Sequence, residues 1–217
     1  MSPRNTLRAN DQRFVTAVSE LTPQEWAMPS LCTEWRNHDV LAHLVVGLSY
    51  PVGTLLGTLT RERDFDLTNA AAARELATRR SPDQLLADFS RFGARPVGIG
   101  RYFPARLLLG DHVTHELDIL YAIGREPDIT PSVLNAVLDT QVAFPNPFVP
   151  AYRNSRGLRL VAADTGWRYG DGPLVEGGAA ELISVLGNRR SALLRLRGDG
   201  VALLGSRVIS SPSRTAG

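Results

Sequence analysis

The four histidines of the chain, His38, His43, His112 and His115, fall in two short segments of the sequence. In the second segment Asp111 precedes His115 by four positions, so on a helix both side chains project from one face, about one turn apart. His43 lies in an apolar run, where a buried imidazole needs a polar partner. Two histidines and a carboxylate fill three positions around a divalent ion and leave another for water or substrate. The pattern therefore predicts a catalytic rather than a structural metal site.

The histidine spacing also has a simpler explanation, because a helical histidine is more often a core or surface residue than a ligand. His112 points about 100° away from Asp111 on a helix of 3.6 residues per turn, so we expect it to be a solvated or interface residue. His38 lies in the first turn of its helix and is expected to be exposed. Glu116 and Asp118 are also expected outside the ligand set, although either could accept a hydrogen bond from the N–H of a ligating imidazole.

The elements that must position these residues are predicted to be helices over the first two thirds of the chain. Apolar residues recur there at helical spacing, and Thr22 and Ser81 each begin a sequence typical of a capping box with proline at the first helical position. The predicted helices cover residues 11–21, a segment from 22, 37–48, 70–79, a segment from 81, 105–123 with Gly124 as its C-cap, and 130–142.

The last third of the chain has a different pattern. Its composition predicts a linker over 144–156, and short alternating runs then predict strands. The expected elements are strands at 158–162, 167–169 and 174–176, a helix at 178–186, a final strand at 201–208 and a disordered end at 210–217.

Three signatures in order resemble the maleylpyruvate isomerase family of mycothiol-dependent enzymes, within the DinB-like metal-binding superfamily. The first runs from Cys32 to Leu44 and contains Trp35, Asp39 and His43; the second runs from Asp111 to Asp118; the third covers 158–167 and 170–173. The resemblance implies an α+β fold. It consists of a DinB-like up-down four-helix bundle over residues 1–145 and a small C-terminal α/β domain over residues 156–209.

The same resemblance implies that His43, Asp111 and His115 bind a divalent metal, with zinc expected, and that mycothiol is the thiol cosubstrate. Arg189 and Arg190 lie near the position where family members carry an arginine thought to meet the carboxylates of the substrate. Two adjacent arginines at a helix end are also typical of surface charges that complement the helix dipole. The reaction is expected to be isomerisation or S-transfer to an electrophilic small molecule, and the sequence does not choose between them.

Two positions depart from the family pattern. Arg36 stands where the family usually has a Ser or Thr to cap the helix, and Asp39 at the third helical position is expected to compensate through the helix dipole. Asp111 stands where the family often has Glu, and its shorter arm makes the affinity and identity of the metal harder to predict than the ligands.

The remaining reactive or aromatic residues are interpreted as structural. Cys32 has no base near it in the sequence and no second cysteine to exchange with, so we expect a small core residue rather than a nucleophile. Trp35 is expected to pack at the start of its helix, and Trp26 and Trp167 in the core.

The composition excludes several classes of protein. With a net charge of only +2, we do not expect a nucleic-acid partner. No apolar run in the sequence is long enough for a membrane span. One cysteine and the absence of an apolar leader predict a cytoplasmic protein, which we expect to be a monomer or weak homodimer. The alternative function is a non-catalytic protein of the same fold that binds or senses a metal or small ligand.

Overall fold

The structure is a computed structural model that describes residues 2–32, 35–49, 51, 65–146 and 149–208. The chain divides into two compact units, Met1–Glu126 and Pro127–Gly217. Among the described helices, none has both the length and the apolar character that a membrane crossing requires.

The first unit is a helical bundle. The helices are α1 (Pro3–Val18), α2 (Pro23–Ala27), α3 (Asn37–Ser49), α4 (Phe65–Arg79), α5 (Pro82–Ala94) and α6 (Ala105–Ala122), with a 3-10 helix at Ile99–Tyr102. Helix α1 packs against α5 and α6, and α3 packs against the same two helices, so these four helices form a closed ring. Helix α4 packs against α3.

Local sequence fixes where several of these helices begin. The side chains of Thr22 and Ser81 each accept a hydrogen bond from the backbone N–H three residues later. The side-chain oxygens of Glu25 and Gln84 in turn accept a hydrogen bond from the backbone N–H of the cap residue. Both predicted capping boxes are therefore confirmed. Such caps satisfy N–H groups that have no partner within the helix.

The core of the bundle comes from the apolar faces of α1, α3, α5 and α6. Its fully buried side chains include Phe14, Val18, Leu41, Leu44, Leu85, Phe89 and Ile119. Phe14 and Phe89 meet edge to face, with ring centroids 5.6 Å apart. Removal of this apolar surface from water is the main stabilising contribution to the bundle.

The second unit combines helices with a three-stranded sheet. Its elements are α7 (Pro131–Ala143), α8 (Ala151–Ser155), β1 (Arg159–Ala162), β2 (Arg168–Tyr169), β3 (Leu174–Gly177), α9 (Ala179–Leu186), a 3-10 helix at Arg190–Arg195 and α10 (Val201–Arg207). The strand order is β2-β1-β3, with β1 antiparallel to β2 and parallel to β3. The α+β class, a helical bundle followed by a small α/β unit, is confirmed.

Two predictions for the second unit need correction. The segment 201–208, expected to be a strand, forms α10, because its buried residues Leu204 and Val208 are spaced four apart rather than alternating. The expected linker contains α8. Helix α7 lies in the second compact unit. The domain boundaries 1–145 and 156–209 stay predictions. The expected disorder at 210–217 lies outside the described residues.

Candidate metal centre

The structure brings His43, Asp111 and His115 together inside the bundle. Helix α3 carries His43 and the neighbouring α6 carries the other two residues. One potential ligand atom from each residue lies within 4.8 Å of the others. The Nε2 atoms of His43 and His115 are 3.8 Å and 3.6 Å from Asp111 Oδ1. Ligands about 2.1 Å from a tetrahedral zinc ion are roughly 3.4 Å apart, so this donor set fits a divalent cation.

His115 is oriented by a second carboxylate. Its Nδ1 atom lies 3.0 Å from Oδ2 of Asp118, which is 1% exposed. A carboxylate on Nδ1 favours the proton there and leaves Nε2 free to bind a metal. The expectation that Asp118 accepts from His115 is consistent with this geometry, and Glu116 instead pairs with Arg13.

His43 is held differently from His115. Its Nδ1 atom is buried and has no hydrogen-bond partner among the described residues. Its ring contacts the rings of Trp35, at a centroid distance of 5.0 Å, and of His115, at 4.6 Å. Among the described residues, this imidazole is therefore held by ring packing and not by a hydrogen bond at Nδ1.

The electrostatics of the triad favour the protonation states that bind a cation. Burial raises the pKa of Asp111, but the adjacent His43 and His115 imidazoles outweigh it and hold that pKa below its usual range. Burial lowers the pKa of His115, although Asp118 opposes the shift. An ionised carboxylate and a neutral imidazole are the forms that ligate metals. The side chain of Asp111 is 40% exposed, which gives solvent access to the site within this unit.

His112 lies on the face of α6 that contacts α1, so the expectation of a solvated residue was wrong. It is 2% exposed, and its Nδ1 lies 2.7 Å from Oδ1 of Asp11 on α1. Burial lowers the pKa of His112, but the Asp11 carboxylate outweighs it and raises that pKa above its ordinary value. Four residues after His112, the fully buried carboxylate of Glu116 accepts two hydrogen bonds from the guanidinium of Arg13. These two pairs join α1 to α6.

Asp11 and Arg13 were absent from the sequence interpretation. Each residue is more than 100 positions from its partner in the sequence, so spacing does not indicate the pair. A single polar side chain on an amphipathic helix is also usually exposed to solvent. The buried polar pairs restrict the rotation of α6 about its axis. They therefore help to direct Asp111 and His115 toward α3.

The start of α3 is stabilised by Asp39 rather than by a Ser or Thr cap. The Asp39 carboxylate accepts hydrogen bonds from the backbone N–H of Arg36 at 2.9 Å and from its guanidinium at 2.9 Å and 3.0 Å. The compensation expected of Asp39 is thus a direct hydrogen bond in addition to any dipole effect. His38, expected to be exposed, is half-buried, and burial lowers its pKa.

The remaining tryptophans and the cysteine are mostly packed as structural residues. Trp26 and Trp167 are buried, as predicted, and Trp167 donates a hydrogen bond from Nε1 to Asp139 at 2.7 Å. Cys32 is half-buried and packs against the bundle core. Trp35 does more than pack at the start of its helix, since its ring contacts both imidazoles of the triad.

Arg189 and Arg190 follow α9 in the second unit. Arg189 is half-buried, and its guanidinium donates to the carbonyl of Gly187 at 2.6 Å. Arg190 is exposed and begins the 3-10 helix. A substrate contact by either arginine stays a prediction.

The fold and the site define a helical-bundle protein with a candidate two-histidine, one-carboxylate metal centre. Residues 7–98 match the model of the mycothiol maleylpyruvate isomerase N-terminal domain. This match covers less than half of the chain; it includes Trp35 and His43 but ends before Asp111 and His115.

Two solved structures are also similar to the chain. They are a mycothiol-dependent maleylpyruvate isomerase and its histidine-to-alanine mutant, at 13% and 14% identity. Each alignment covers 91% of both chains with a TM-score of 0.49. No curated protein matches the sequence significantly.

Proposed function

We propose that this protein is a metal-dependent, mycothiol-dependent enzyme that activates a low-molecular-weight thiol for reaction with an electrophilic small molecule. The observation that carries the proposal is the convergence of the His43 and His115 Nε2 atoms on the Asp111 carboxylate, in a chain whose residues 7–98 match this family's N-terminal domain. A divalent metal, for which we propose zinc, would act as a Lewis acid that lowers the pKa of a bound thiol.

The residues of the chain would hold this centre and keep its donors oriented. His43, Asp111 and His115 are the proposed ligands, and Asp118 keeps the Nδ1 proton on His115. The exposed part of Asp111 leaves a route for small molecules. The nucleophile is the sulfur of the cosubstrate; Cys32 is not part of the proposed ligand set.

Two outcomes follow from the same thiolate. With a maleylpyruvate-like substrate, addition of sulfur to the double bond, rotation about the resulting single bond and elimination of sulfur would give cis–trans isomerisation. With other electrophiles the thioether is released, which is S-transfer. Arg189 or Arg190 would pair with substrate carboxylates, since a guanidinium binds a carboxylate in two hydrogen bonds. We propose a cytoplasmic location, and a monomer or weak homodimer, as part of the same hypothesis.

Metal content and thiol conjugation, measured on protein purified without a His tag, test this function. We expect about one equivalent of divalent metal per chain by elemental analysis. We also expect formation of a thioether from mycothiol and a chlorinated or ene-dione electrophile. His43→Ala and His115→Ala should lose metal and conjugation together, whereas Cys32→Ser should keep both.

The same measurements distinguish the proposed enzyme from the alternative, a non-catalytic binding protein. Stoichiometric metal without any thiol reaction would favour a protein that binds or senses a metal or small ligand. Protein that holds no metal, and whose stability is unchanged by a chelator, would contradict both functions.

A further inference from the structure

The Trp35 side chain lies against both imidazoles of the candidate metal centre. Its ring centroid is 5.0 Å from that of His43, with an interplanar angle of 52°, and 6.2 Å from that of His115, with an angle of 23°. The two imidazoles are themselves 4.6 Å apart, at 70°. Offset and tilted rings at these separations attract one another, so the three rings form one contact group.

The two imidazoles differ in what fixes their orientation. His115 has the Asp118 carboxylate on Nδ1, whereas the Nδ1 of His43 is buried and makes no hydrogen bond to any described residue. An imidazole without such a partner can turn about its side-chain bonds unless packing prevents it. Among the described residues, the aromatic rings in contact with His43 are those of Trp35 and His115. The indole is therefore in position to limit this rotation.

Trp35 is itself held by its loop. Its backbone N–H donates to the Cys32 carbonyl at 3.1 Å, and its carbonyl accepts from the N–H and Oγ of Ser30 at 2.8 Å and 2.9 Å. The N–H of Leu31 donates to the backbone carbonyl of Asp118 at 3.1 Å, which ties the loop to α6. The indole thus rests on a backbone that is hydrogen-bonded within the loop and to α6.

We infer that Trp35 is a positioning residue, whose indole sets the ring orientation of His43 as the Asp118 carboxylate sets that of His115. The expected effect of Trp35 on metal affinity rests on the proposed function. Its effect on the orientation of the His43 ring does not rest on that function, because the ring orientation is a property of the metal-free protein. Outer partners of metal ligands commonly change metal affinity on the order of 10-fold when removed.

The metal-free test is NMR of the imidazole side chains, read through the scalar couplings and nuclear Overhauser effects that report rotamer populations. Chemical shifts alone would not serve, because loss of the indole ring current moves the signals of both imidazoles. In Trp35→Leu we expect the His43 side chain to populate several rotamers, while His115 keeps one. Trp35→Phe keeps an aromatic ring and should keep His43 in one rotamer. The matched control is Trp26→Phe, at a buried tryptophan of the same unit, which should leave the rotamers of both imidazoles unchanged. A single His43 rotamer in Trp35→Leu would overturn the inference.

A metal-bound readout uses Co²⁺ as the probe. We expect Trp35→Leu to bind Co²⁺ about 10-fold more weakly, with a changed visible spectrum, and Trp35→Phe to restore both. Wild-type affinity and spectrum in Trp35→Leu would contradict a positioning role. If the wild-type protein binds no Co²⁺, the proposed function fails, and the NMR result still decides the role of Trp35.

A second variant covers the case in which Trp35→Leu does not fold. Ser30→Ala keeps the indole but removes the Oγ hydrogen bond to the Trp35 carbonyl. It should broaden the rotamer distribution of His43 as Trp35→Leu does, by a smaller amount. A wild-type rotamer distribution of His43 in this variant would overturn the inference.

Discussion

Replacement of Asp118 by alanine should weaken metal binding although all three proposed ligand residues are kept. The carboxylate is 1% exposed and lies 3.0 Å from Nδ1 of His115, so its removal deprives that buried ring of a charged acceptor. Loss of such a partner typically reduces metal affinity by about 10- to 100-fold, which corresponds to roughly 1.4–2.8 kcal/mol. Asp118→Asn keeps an acceptor oxygen but not the charge, so we expect a loss near the lower limit, about 10-fold.

The assay is the zinc dissociation constant, measured by competition with a chromogenic chelator. Urea unfolding of the metal-free variants, measured alongside, separates a loss of stability from a loss of affinity. The control is Asp88→Asn, which removes a bundle carboxylate that bonds Arg91 at 2.7 Å, and it should leave the zinc affinity unchanged. A folded Asp118→Ala protein with the wild-type dissociation constant would refute the role assigned to Asp118.

Three further predictions concern the polar contacts that position α3 and α6. Arg13→Met removes two charge-assisted hydrogen bonds to the buried Glu116 carboxylate and should lower the free energy of unfolding in urea by about 3–5 kcal/mol; a change below about 1 kcal/mol would contradict this. His112→Ala should cost about 3 kcal/mol in the same assay, because it removes a buried hydrogen bond to a carboxylate, whereas a solvated histidine would cost almost nothing. Burial raises the pKa of Asp39, but the hydrogen bonds and charge of Arg36 outweigh it and lower that pKa. The stability that this pair contributes is therefore present above the ordinary Asp pKa of about 4 and is lost as the pH falls below it. Asp39→Asn should flatten this part of the curve of unfolding free energy against pH, and an unchanged acid limb would count against the pair.

The sequence alone was sufficient for features that depend on neighbours a few positions away. Helix geometry places residues four apart on one face, so the proximity of Asp111 and His115 could be predicted from their spacing. The capping boxes at Thr22 and Ser81 are equally local. The segment 201–208 marks the limit of this reasoning, because a short apolar run fits a strand or a helix until its packing partner is known.

Only the tertiary structure decided which sides of these helices meet. Spacing showed that His112 points away from Asp111, but not that α1 covers that side with Asp11, 101 positions away. The contact of Trp35 with both imidazoles likewise depends on how the loop before α3 folds against α6. The physical reason is that backbone hydrogen bonds and steric limits act over a few residues. Burial and the pairing of buried polar groups, in contrast, depend on which distant surfaces the packed bundle brings into contact.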